Sequence, residues 1–164
     1  MRATIALASL LLTATAAVAA EAPPPDEPAD LATIADAVDP AELHATIEKL
    51  VGFGTRHTLS DTTSKTRGIG AARRWVQSRF ETFSKDCGGC LEIVTPSQSF
   101  TGKRIPEPTD VTDVVAIQRG TGDPDRVIVI TGHLDSRVID VMDAKKDAPG
   151  ANDDGSGSAA VIEA

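Results

Sequence analysis

Val127-Ile-Val-Ile130 is an uninterrupted run of β-branched residues, and a polar, glycine-bearing stretch follows it directly. A run like this has no polar side to turn to water. It therefore reads as a strand buried on both faces, as in sheets covered by helices. Helical and strand patterns alternate ahead of it. Asp39-Pro-Ala-Glu42 carries helix-start signals: Asp as cap, Pro at the first helical position, Glu three residues after the cap. Leu43, Ile47, Leu50 and Val51 continue at helical spacing, and Gly52 and Gly54 end the helix. A second helix is expected over residues 66–83, on the stripe Ile69, Ala72, Val76, Phe80 and Phe83. Strands are expected at residues 91–94 and 113–118, and a further helix from Ser156 onward. This alternation is an α/β pattern, and in such sheets functional residues gather just past the C-terminal ends of strands.

The N-terminus reads as a leader. Arg2 precedes an apolar stretch centred on Leu10, Leu11 and Leu12, and small residues around Ala19 and Ala20 fit a cleavage site. Residues 1–20 are therefore expected to be a signal peptide and residues 21–38 a Pro-rich, acidic linker. Residues 39–164 are left as the catalytic-type domain. Export to the periplasm or the medium follows, with no stable membrane association once the leader is gone. The net charge of −8 repels phosphate backbones, and no basic run is present, so nucleic acid is excluded as a partner. Cys87 and Cys90 frame a Cys-Gly-Gly-Cys. In an oxidising compartment the expectation is a local disulfide, with a redox pair or a structural zinc as the alternatives.

The chemistry sits just after the β-branched run. Gly132-His-Leu-Asp-Ser136 brings an imidazole and a carboxylate, and Gly150-Ala-Asn-Asp-Asp-Gly-Ser-Gly157 brings two more carboxylates on a glycine-rich loop. Neutral imidazole and carboxylate are good zinc ligands. A ligating histidine needs a second group to fix its tautomer, and Asp135 is the candidate for His133. The carboxylate of Asp153 has two oxygens and can join two metals. Asp154 reads equally as a turn residue or a site residue. His44, His57, Asp140, Asp143 and Asp147 are expected to be structural or solvated.

These two loops, together with Leu50-Val-Gly-Phe-Gly-Thr-Arg-His57 and Arg67-Gly-Ile-Gly-Ala-Ala-Arg-Arg-Trp75, resemble the M28 family of two-zinc aminopeptidases. The resemblance covers roughly residues 41–164. It implies a three-layer α/β/α sandwich with a mixed, mainly parallel sheet. It also implies that His133 ligates one zinc, that Asp153 bridges two, that Asp135 orients His133, and that the Asp153–Asp154 bond is cis. The implied activity is exported hydrolysis of the N-terminal residue of peptides. Carboxypeptidase, dipeptidase or glutaminyl cyclase chemistry on the same scaffold, or a non-catalytic relative, are the alternatives. The family's general-base Glu and its remaining ligands match no residue here, so the 164-residue chain is expected to be an N-terminal part, inactive alone.

Overall fold

The computed structural model describes residues 29–164 apart from residue 124. The expected signal peptide and the first part of the linker lie outside the described residues. The chain divides into two units, Met1–Ala37 and Val38–Ala164. In the first, α1 (Ala29–Asp36) is helical within the stretch read as linker.

In the second unit, α2 (Pro40–Val51) starts where its signals place it. Asp39 is extended at the cap and accepts a hydrogen bond from the Ala41 N–H at 2.8 Å, with Pro40 in the first turn. The long helix α3 (Gly68–Asp86) follows, then β1 (Leu91–Val94), β2 (Ser97–Gly102), β3 (Ile105–Thr112), β4 (Val115–Gln118) and the short α4 (Ser156–Ile162). Cys87 and Cys90 are joined in a disulfide at the end of α3. Strand β1 pairs antiparallel with β4, and β2 pairs antiparallel with β3. The hairpin β2–β3 has no counterpart in the sequence reading.

Leu50, Phe53, Ala71 and Ala72 bury the contact between α2 and α3. Val76, Phe80 and Ile162 bury that between α3 and α4, with Ile93, Val114 and Ala116 packed against them. Trp75 and Leu134 touch both clusters. Leu134 thus anchors the segment that carries His133 and Asp135 to the helical core.

The fold class is mixed α and β, but the sheets among the described residues are two antiparallel pairs. The expected buried strand at residues 127–130 is corrected. Its residues pair with no strand among the described residues, and Val127, Ile128, Val129 and Ile130 are 78%, 83%, 73% and 63% exposed. The physical reason is partnership. A strand is buried on both faces only inside a sheet flanked by other strands and covered by helices. Here, among the described residues, β1 pairs only with β4 and β2 only with β3, so no flanking strands enclose the run.

Candidate metal centre

Two loops meet at the N-terminal end of α4. The first runs through Gly132 to Ser136. The second winds through a single wide turn, Ala151–Gly155, closed by the Gly155 N–H donating to the Gly150 carbonyl at 2.9 Å. That turn is kinked at Asp153 and Asp154, whose mutual peptide bond is cis.

Every polar group of His133 has a defined neighbour. Its backbone N–H donates to Asp154 Oδ2 at 3.0 Å, and its carbonyl accepts from Ser158 Oγ at 3.1 Å. Ring Nδ1 lies 3.1 Å from the Asp135 carbonyl and 3.2 Å from Asp135 Oδ1. Both of these are acceptors, so Nδ1 carries a proton. The opposite nitrogen, Nε2, faces Asp153, whose Oδ1 is 3.1 Å away. Asp135 is itself held, since its Oδ2 accepts from Thr58 Oγ1 at 3.1 Å. Partial burial pulls the His133 pKa down. The hydrogen bonds from Nδ1 to Asp135, with the charges of Asp135 and Asp154, outweigh that and hold it above its ordinary value.

The donor chemistry fits zinc at two positions. Two donors each about 2.0–2.2 Å from one tetrahedral zinc stand roughly 3.4 Å apart, close to the 3.1 Å between His133 Nε2 and Asp153 Oδ1. Both side chains are open to solvent, at 57% and 84%. Among the described residues no group of three or more His, Cys, Asp or Glu is arranged to hold a metal. His133 and Asp153 are thus a pair of donors, not a finished set. Asp154 turns its oxygens to backbone donors, the N–H of His133 and that of Gly157 at 3.2 Å. It ties the two loops together.

The other sequence candidates lie apart from these donors. His57 is buried, accepts from the Leu59 N–H at Nδ1 (3.0 Å) and faces the Val141 carbonyl through Nε2 (3.1 Å). That is a loop fastening. His44 is exposed beside Glu48 on α2. Asp143 caps a turn through the N–H groups of Lys145 and Lys146. Glu163 accepts from Thr46 Oγ1 at 2.8 Å and pairs with Arg79 at 3.3 Å, joining α4 to α2 and α3.

Sequence reasoning passed over Arg56 and Ser136. Arg56 is 1% exposed and Ser136 is 3% exposed. The Arg56 N–H donates to Ser136 Oγ at 3.0 Å, and Ser136 Oγ donates to the Ala148 carbonyl at 2.6 Å. No local signal marks these residues, because an arginine in a polar stretch looks the same whether solvated or buried.

Residues 113–164, which bear the site, match the model of Peptidase family M28. A probable zinc metalloprotease of Pyricularia oryzae is 47% identical over 153 residues, covering 86% of this chain and 30% of its own length. Another, from Leptosphaeria maculans, is 46% identical over 142 residues, covering 86% of this chain and 32% of its own length. A third, from Pyrenophora teres f. teres, is 46% identical over 141 residues, covering 85% and 29%. The chain therefore spans about a third of the length of the curated relatives it matches. No solved structure matches. The segment carrying His133, Asp135, Asp153 and Asp154 belongs to peptidase family M28.

Proposed function

We infer that this chain supplies part of the metal site of an exported, zinc-dependent exopeptidase that removes the N-terminal residue of peptides. The observation that carries the reading is the approach of His133 Nε2 to Asp153 Oδ1 at 3.1 Å, with the far side of the imidazole hydrogen-bonded to Asp135. An imidazole held by a carboxylate and facing a second carboxylate is the donor pattern of a zinc site. The relatives named as probable zinc metalloproteases support the choice of metal. In this reading His133 is a ligand of one zinc, Asp153 bridges two, and the whole protein carries a three-layer sandwich with a mainly parallel sheet.

When bound, the zinc supplies the Lewis acidity that activates water and polarises a peptide carbonyl. The work of this chain's residues is positional. Asp135 keeps the Nδ1 proton in place, which leaves Nε2 free to donate. Thr58 keeps Asp135 from rotating away. Asp154 fixes the His133 backbone against α4 through the two N–H groups it accepts.

The test is metal content and peptide hydrolysis in the full-length protein. Two zinc ions per chain are expected. His133→Ala is expected to remove most of the zinc and to lower hydrolysis by more than about 100-fold. Zinc and activity both surviving that change would sink the assignment of His133, and one zinc per chain in the active protein would refute the bridging role of Asp153.

A further inference from the structure

The largest fully buried side chain among the described residues is a cation, and among those residues it donates to no carboxylate. Arg56 gives its guanidinium hydrogens to four backbone carbonyls. Nε reaches Leu134 at 2.8 Å, Nη1 reaches Leu50 at 2.9 Å and Pro149 at 2.7 Å, and Nη2 reaches Gly150 at 3.0 Å. Burying a charge this way is costly, and an apolar residue would fill the same space more cheaply. Burial pulls the Arg56 pKa down, while the charges of Asp135 and Asp154 act against it.

What the guanidinium gains is connectivity. Leu50 lies in the last turn of α2. Leu134 sits between His133 and Asp135 in the first loop. Pro149 and Gly150 open the second loop, just ahead of Asp153. The backbone of Arg56 repeats the connection: its N–H donates to Ser136 Oγ at 3.0 Å, and its carbonyl accepts from the Ser136 N–H at 3.3 Å. One planar fork thus holds both donor loops against the same helix. A lysine has three donors on one point and cannot reach four carbonyls spread around a plane.

We propose that Arg56 is a positioning residue that sets the separation of His133 and Asp153 by fastening both of their loops to the end of α2. The proposal rests on the zinc reading above for its effect on metal and on hydrogen-bond geometry alone for its effect on the loops. Charge is not the operative property, because a cation near a second cation repels it. The fork is the operative property.

The test compares Arg56→Lys, which keeps the charge, with Arg56→Gln, which does not, and with the pair Cys87→Ser and Cys90→Ser, which removes the disulfide at the end of α3. Zinc affinity is read by chelator competition, the d–d spectrum of the cobalt-substituted protein reports ligand geometry, and amide exchange is followed in metal-free protein. Both Arg56 variants are expected to bind zinc about 10–100-fold more weakly, with an altered cobalt spectrum. Faster exchange is expected across residues 132–136 and 148–155 together. The disulfide variant is expected to lose stability with zinc affinity and spectrum intact. Ser136→Ala, a smaller change to the same connection, is expected to move the same readouts in the same direction, and it serves if the Arg56 variants do not fold. Wild-type affinity and spectrum in Arg56→Lys, or a loss of zinc affinity in the disulfide variant matching its loss of stability, would overturn the proposal. A wild-type protein that takes up no zinc would defeat the zinc reading instead. The exchange of the two loops would then still decide whether Arg56 fastens them.

Discussion

Gly150 shows how closely the second loop is fitted at the scale of single residues. It sits in the left-handed region at φ 47 and ψ 46. A Cβ added there would lie 2.6 Å from the Asp153 carbonyl oxygen and 2.6 Å from Ser136 Cβ. Backbone conformation and crowding both oppose a side chain. Gly150→Ala is therefore expected to lower the unfolding free energy by about 2–4 kcal/mol, measured by urea denaturation, and to weaken zinc binding as the loop is displaced. Unchanged stability would mean that the loop does not adopt this turn. The meeting of His133, Asp135 and Asp153 was legible in the sequence because imidazole and carboxylate side chains on glycine-rich loops are visible as residue types. The double hydrogen bonding of Asp154 and the burial of Arg56 were not. Both depend on which backbone groups arrive from distant parts of the chain, and no residue-by-residue pattern encodes that.

Elements differ in how much of their structure is local. Helix α2 carries its own cap, its proline and its apolar spacing, and it forms where those signals sit. Removing the cap by Asp39→Ala is expected to cost about 1 kcal/mol, seen as a lower urea midpoint with unchanged zinc affinity. The cap lies at the opposite end of α2 from Leu50, where Arg56 is attached. A loss of zinc affinity in that variant would mean that the whole helix, and not only its last turn, positions the site. The hairpin β2–β3 lacks such signals. Strand β2 is exposed along its whole length and half of β3 is exposed too, so no apolar alternation marks them. Pro106 and Pro108 also read as strand breakers. Both fall in the irregularity between the Phe100–Thr109 and Gly102–Ile105 pairs, where the ladder has no paired residues and a missing N–H removes no ladder hydrogen bond. The helices were legible because their determinants are near neighbours in sequence. The hairpin was not, because its determinant is the cross-strand register between Ser97 and Thr112.

For the molecule as a whole, the β-branched run ahead of the site separates composition from context. Its residues have the character of a buried strand, yet Ile128 is 83% exposed and no strand among the described residues pairs with it. An apolar, unpaired, β-prone segment is a template for association with a second copy. In the 164-residue chain, Val129→Lys is expected to reduce concentration-dependent light scattering while leaving the melting temperature unchanged, because Val129 is 73% exposed and a charge there meets water. Amide exchange over residues 127–130 is expected to be fast, against slow exchange in the middle of α3, where Val76 and Phe80 are buried. A fall in melting temperature with Val129→Lys, or protection equal to that of α3, would mean that the run is packed in solution. The hydrogen bonds and core contacts that hold His133 come from Leu134, Asp154, Ser158 and Arg56, all outside that run. The same substitution should therefore leave zinc affinity intact, which separates the loops that form the site from the apolar run that leads into it.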